Sequence, residues 1–187
     1  MTRVLINRGL GRALAGAAIF LSLSAAPALA ALKTGAAAPD FTLKAAKGGQ
    51  EMDFNLKTAL KKGPVVLYFF PAAFTPGCTA EAHAFAEATD EFAKQGATII
   101  GVTAGNIDRV AEFSKVECRD KFAVAADPGA KVAKQYDSIF AARPELSDRT
   151  SYVIGQDGRI AFVHSDLNPA EHVSTTMAAV KALKAKG

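Results

Sequence analysis

The chain has 187 residues, 50% of them apolar and 21% charged, with two cysteines and three histidines; this is one domain's worth of sequence, which excludes intrinsic disorder, a disulfide scaffold and an array of zinc fingers. Its formal net charge of +4 comes largely from Arg3, Arg8 and Arg12, since residues 1–30 contain no acid and the remainder sets 19 basic against 18 acidic side chains. The lysines of that remainder are dispersed rather than interleaved with aromatics, so nucleic acid is excluded as a partner.

The three arginines lead into an apolar stretch, Ala13 to Leu23, and a small-residue region ending Ala28-Leu29-Ala30. This is the pattern of a secretory signal peptide over 1–30, with cleavage near Ala30/Ala31. An uncleaved membrane anchor is the alternative, but the stretch is short for a span and Pro27 interrupts its continuation. No cysteine marks a lipoprotein and no Arg-Arg pair marks the twin-arginine route. The expected product is a single domain, 31–187, free of the membrane after cleavage, in an oxidising, periplasmic space.

Residues 31–50 read as a loose lead-in with a short strand at Phe41–Leu43, and Lys61-Lys62-Gly63-Pro64 as a turn. Val65 to Phe70 is a continuous apolar run of strand length bounded by prolines, the pattern of a central strand buried on both faces. From Pro76 to Gln95, Ala82, Phe85, Ala86, Thr89, Phe92 and Ala93 recur at helical steps, and Gly96 ends the helix. A second buried strand spans Ala97 to Thr103, a helix runs from Ile107 to about Cys118, and Phe122–Ala125 is a short strand. Asp127-Pro128-Gly129 opens a short helix to about Tyr136, and 137–150 is irregular. Ser151–Gly155 and Arg159–His164 flank Asp157-Gly158, a hairpin signal, before a last helix from Pro169 to about Ala185. Strands alternating with helices predict an α/β fold with a mixed sheet covered on both faces.

The segment Pro71-Ala-Ala-Phe-Thr75-Pro76-Gly77-Cys78 joins the central strand to the long helix. Thr75 is the expected N-cap and Pro76 the first helical residue, which sets Cys78 in the first turn. A thiolate there faces unpaired backbone N–H groups and the positive end of the helix dipole, which favours ionisation. The alternative is a buried cysteine that only fills space.

Pro71-x-x-x-Thr75-x-x-Cys78 resembles the active-site signature of the peroxiredoxins, and Thr75-Pro76-Gly77-Cys78-Thr79-x-Glu81 is similar to the Q-type, or bacterioferritin-comigratory, branch. Arg149, opening Arg-Thr-Ser-Tyr-Val-Ile, falls where that branch has its active-site arginine, and the likeness runs from about Lys33 to the C-terminus. The resemblance implies a thioredoxin-like fold and reduction of hydrogen peroxide and organic hydroperoxides without metal, haem or flavin. Cys78 would be the peroxidatic cysteine, cycling through a sulfenic acid. Thr75 would hydrogen-bond peroxide and thiolate, Arg149 would supply fixed donors, and Pro71 would shield the sulfur. A thioredoxin-like reductant would be the partner, and the branch leans to a monomer, with a weak dimer as alternative.

Many Q-type members carry a second cysteine five residues after the first; here that position is His83. The other cysteine, Cys118, lies 40 residues on, sharing a helical stripe with Ile107, Ala111 and Ser114. Three readings stay open: a resolving cysteine that forms an intramolecular disulfide with Cys78, a bystander in a one-cysteine peroxidase or redox sensor, or half of a static disulfide. His83 points about 140° away from Cys78 around the helix and reads as a polar-face residue. His164 and His172 show no partner, and the three histidines lack ligand spacing, so no metal site is expected. A thioredoxin-type oxidoreductase would need Cys-x-x-Cys, and Glu81 stands where its second cysteine would be. A non-catalytic binding module on the same fold is the reading from another functional class.

Overall fold

The computed structural model describes Met1 and residues 31–185, so the expected signal peptide lies outside the described residues apart from its first methionine. Seven strands form one sheet: β1 (Thr42–Lys47), β2 (Gln50–Asn55), β3 (Val65–Ala72), β4 (Thr98–Gly105), β5 (Ala123–Ala126), β6 (Thr150–Ile154) and β7 (Ile160–Ser165). Their spatial order is β2-β1-β5-β4-β3-β6-β7. β3, β4 and β5 run parallel, and β1–β2 on one side and β6–β7 on the other are antiparallel additions. The helices are α1 (Leu56–Leu60), α2 (Pro76–Lys94), α3 (Val110–Val116), α4 (Lys131–Gln135) and α5 (His172–Lys184). This is the thioredoxin-like α/β fold expected from the chain order, and none of the described helices is long and apolar enough to cross a membrane.

β3 is the centre, and every residue from Val65 to Phe70 is fully buried. Strand side chains alternate faces, so Val65, Leu67 and Phe69 join one core with Phe41, Tyr136 and Tyr152. Val66, Tyr68 and Phe70 join a second core with Phe85, Phe92 and Phe113 from α2 and α3. Each face thus receives about three large side chains from one strand. Truncating any of them to Ala would remove on the order of 2–5 kcal/mol.

Gly96 ends α2 as its position suggested. It sits at φ 79°, its N–H bonds the Ala93 carbonyl at 2.9 Å, and the Ala97 N–H reaches back to Phe92 at 2.9 Å. This pair of bonds closes a Schellman motif, which only a residue tolerant of positive φ permits cheaply.

The N-terminal region differs from expectation. The short strand at Phe41–Leu43 is longer and forms a hairpin with β2, and α1 follows it. Gly48 and Gly49, both at positive φ, make the two-residue turn. The helix from Ile107 also differs. Asn106 takes a left-handed conformation, a 3₁₀ turn follows at Ile107–Arg109, and α3 ends at Val116. Cys118 therefore lies beyond the helix end rather than within it.

Candidate active site

β3 runs into the reactive segment without a loose joint. The carbonyls at its end and just beyond it are held from three directions: Ser147 Oγ donates to Phe70 O (2.7 Å), Thr103 Oγ1 to Pro71 O (3.2 Å) and Asn106 Nδ2 to Ala73 O (2.8 Å). Phe74 is left at φ 64°, a strained conformation for an aromatic residue. Its ring meets Phe113 edge-on, and the Arg109 guanidinium stacks 3.8 Å over it. These contacts offset the strain and fix the approach to α2.

Thr75 has the extended backbone of an N-cap, φ −83° and ψ 148°, and Pro76 is the first helical residue. The side chain does not cap. Its hydroxyl turns back and donates to the Ala72 carbonyl at 3.0 Å. With that single proton engaged, the hydroxyl has only lone pairs left to offer. The expected cap gives way to a bond within the tight 72–75 turn, where the Thr75 N–H also points at the Ala72 carbonyl, at 3.4 Å.

Cys78 stands in the first turn of α2, 1% exposed. Arg149, from the segment entering β6, extends its guanidinium over the start of the helix. Nη2 lies 3.6 Å from Cys78 Sγ, Nη1 donates to Glu81 Oε2, and Nε donates to the Leu167 carbonyl at 2.8 Å. All three nitrogens are occupied, so the guanidinium plane is fixed. Burial opposes the charge on Arg149, but Glu81 and Cys78 outweigh it and hold the group above its ordinary range. Gly77 leaves the room this requires: a Cβ there would lie 3.1 Å from Nη2.

The structure thus brings Cys78 and Arg149 together, with Thr75 at the N-cap three residues before the cysteine and Pro71 in the end of β3 that leads to it. Cys118 shares the apolar cluster of Cys78, and both are free thiols. Burial, with Glu117 adding to it, pushes the Cys118 thiol well up. Three side-chain contacts strap its segment to α2: a His83–Glu117 hydrogen bond at 2.7 Å and the ion pairs Glu87–Arg119 at 3.2 Å and Asp90–Lys121 at 3.3 Å. His83, read as a polar-face residue, is one end of that strap.

Two residues of the cluster carried no role in the sequence reading. Glu81 is fully buried and bound to Arg149; its signal was the three-residue spacing from Cys78, which puts both on one helix face. His172, expected to lack a partner, is fully buried against Glu81, Ser151, His164 and the Asp166 carbonyl. Nothing local in the sequence signals contacts that close over so many residues.

Residues 34–163 match the profile of the AhpC/TSA family. Over 150 residues the chain is 32% identical to peroxiredoxin Q, chloroplastic, of Oryza sativa subsp. japonica, covering 80% of this chain and 67% of that protein. It is 32% identical over 151 residues to peroxiredoxin Q, chloroplastic, of Sedum lineare, covering 80% and 78%. The crystal structure of the peroxidoxin BcpB from Mycobacterium tuberculosis matches with a TM-score of 0.72 at 32% identity, covering 81% of this chain and 98% of that one.

Proposed function

The chain belongs to the AhpC/TSA family of peroxiredoxins, and from that premise we propose a thiol peroxidase in which Cys78 is the peroxidatic cysteine. The observation that carries this reading is the fixed Arg149 guanidinium 3.6 Å from Cys78 Sγ at a helix N-terminus. A thiolate in that place meets a cation and unpaired backbone N–H groups.

The Cys78 thiolate attacks one oxygen of a hydroperoxide. An S–O bond forms, the O–O bond breaks, and sulfur loses two electrons to become a sulfenic acid. The leaving oxygen departs with the electron pair and takes a proton from water, giving water or an alcohol. Arg149 faces the charge that moves from sulfur to that oxygen. Thr75, its own proton engaged by Ala72, accepts a hydrogen bond from the O–H group of the incoming peroxide. Pro71, which has no N–H, shields the sulfur.

Cys118 is the resolving cysteine in this reading. Its thiol attacks the sulfenic sulfur, water leaves, and a Cys78–Cys118 disulfide remains. A thioredoxin-like dithiol then returns two electrons and two protons. Disulfide closure needs the Cα atoms within about 7 Å, and in this reading loosening of the strap between α2 and residues 117–121 gives Cys118 the freedom to reach the sulfenic sulfur. The full burial of Cys118 favours a second reading, a one-cysteine peroxidase with Cys118 as filler. The signal-peptide reading of 1–30 places the enzyme in the periplasm, where a dedicated reductant relay serves it. N-terminal sequencing of the protein from a periplasmic extract tests this.

Time-resolved intact mass of the reduced protein after one equivalent of hydrogen peroxide tests the chemistry. Loss of two hydrogens, abolished in Cys118→Ser, supports the two-cysteine enzyme. Gain of one to three oxygens on Cys78 alone makes it a one-cysteine enzyme. An unchanged mass overturns the peroxidase reading.

A further inference from the structure

His83 of α2 is a residue the mechanism leaves unused. Its Nε2 lies 2.7 Å from Oε2 of Glu117, the residue before Cys118. A carboxylate only accepts hydrogen bonds, so Nε2 carries a proton whenever the two atoms are in contact. The second ring proton, on Nδ1, is the one that comes and goes, and the side chain is 35% exposed and open to water. With Nδ1 bare the contact is a hydrogen bond from a neutral ring. With Nδ1 protonated it joins a cation to an anion and gains their attraction.

The segment it holds depends on outside support. The N–H groups of Glu117 and Cys118 both reach back to the Phe113 carbonyl, at 2.9 and 3.1 Å, where α3 ends. Arg119 and Asp120 follow at φ 52° and 60°, two successive left-handed residues that carry side chains, a disfavoured backbone. Opening lets both relax, so contacts with α2 keep the segment closed. Of the three, His83–Glu117 is the least exposed, at 35% and 15%, against 48% and 69% for Arg119–Glu87 and 45% and 76% for Lys121–Asp90. It is therefore the least screened by solvent. It is also the one that contains a histidine, the side chain whose charge change ordinarily falls between pH 5 and 8. The titratable and charged groups around the pair are the Cys118 thiol, next to Glu117 and buried, and Glu87, one turn on along α2 and balanced by Arg119. Glu117 is the anion that His83 answers.

We propose that His83 is a pH-sensitive latch on Cys118: its imidazolium grips Glu117 and keeps the 117–121 segment closed in acid, and its neutral ring holds that segment less firmly near neutral pH and above. The consequence for turnover, slower Cys78–Cys118 closure in acid, rests on the reading of Cys118 as the resolving cysteine. The latch itself rests on the contacts alone.

The test is labelling of Cys118 by N-ethylmaleimide on the reduced full chain, resolved by peptide mass, from pH 5.5 to 8. A buried thiol reacts only when its segment opens, and the ratio of variant to wild-type rate at each pH cancels the thiol's own ionisation. His83→Gln keeps a neutral N–H donor. It should speed labelling about fivefold at pH 5.5 and less than about twofold at pH 8. His83→Lys, a cation throughout, should label as slowly as wild type at pH 5.5 and about threefold more slowly than wild type at pH 8. In a Glu117→Gln background neither exchange should matter. A ratio that does not change with pH overturns the proposal, and so does faster labelling of His83→Lys at both ends, since each marks lost packing rather than lost charge. Hydrogen peroxide then provides the separate check. If the labelling follows the expected pattern and no Cys78–Cys118 disulfide forms, the two-cysteine reading falls and the latch stands.

Discussion

Gly77 and Arg149 are matched across the start of α2: the guanidinium Nη2 occupies space within 3.1 Å of where any Cβ at position 77 would stand. Arg149 cannot yield easily, because Leu167, Glu81 and Cys78 hold its three nitrogens. Gly77→Ala should therefore leave stability within about 1 kcal/mol, since alanine favours the helix. It should still slow the reaction of Cys78 with hydrogen peroxide about tenfold. Stopped-flow rates beside urea unfolding separate the two effects, and an unaltered rate would show the guanidinium free to move.

Glu81 and His172 give the folded protein an uneven response to pH. Glu81 is raised to about 8 from 4.5; between these values the folded chain keeps a proton that the unfolded chain has lost. Its contribution to stability is complete below about pH 4.5 and is lost as pH rises to about 8. His172 is lowered to about 4 from 6.5, so its contribution is present above 6.5 and is lost as pH falls to about 4. The two slopes cancel from 4.5 to 6.5. From 6.5 to 8 Glu81 acts alone, and stability falls by at most about 1.4 kcal/mol per pH unit. Urea midpoints across this range should decline for the wild-type protein and not for Glu81→Gln.

The strap over Cys118 includes two partly exposed ion pairs, Glu87–Arg119 and Asp90–Lys121, each worth roughly 0–1 kcal/mol. Glu87→Gln combined with Asp90→Asn should speed formation of the Cys78–Cys118 disulfide about threefold, and 0.5 M salt should act in the same direction. Quenched-flow mass spectrometry reads the rate. An unchanged rate would mean that opening of this segment does not limit resolution.

Tyr68 presents a different kind of vulnerability. Its hydroxyl is buried with no hydrogen-bond partner among the described residues, and its ring lies so close over Gly101 that a Cβ there would fall 2.7 Å from Cζ. Tyr68→Phe removes the orphaned group and keeps the ring, so it should stabilise the protein by about 1 kcal/mol. That is a rise of about 2–4 °C in Tm by calorimetry. A fall in Tm would mean that the hydroxyl has a partner in solution.

What could be read in the sequence follows the range of the interactions involved. β3 announced itself because burial on both faces requires an unbroken apolar run, and α2 because one apolar stripe meets the sheet. Gly96 and Asp157-Gly158 were legible because backbone conformation at a turn is a local matter. The β1–β2 hairpin was not, because an edge strand such as Gln50–Asn55 is largely exposed and its apolar alternation is only Met52 and Phe54; Gly48-Gly49 was the stronger cue. At the site, Cys78 and Thr75 were set by their place at a helix start. Arg149 came through resemblance alone. Glu81 and His172 come from α2 and α5, and only the folded sheet brings their partners within reach.

β3 gives side chains to both cores and ends in the loop that carries Cys78. Amide protons near Pro71 should then exchange with solvent only when the whole protein opens, whereas those around Cys118 need only the loss of surface ion pairs and the unwinding of one helix end. The two thiols thus belong to parts of the molecule with different lifetimes. One stays where it is for as long as the protein is folded, and the other, on the shorter clock, is the one that would have to travel for the two to join.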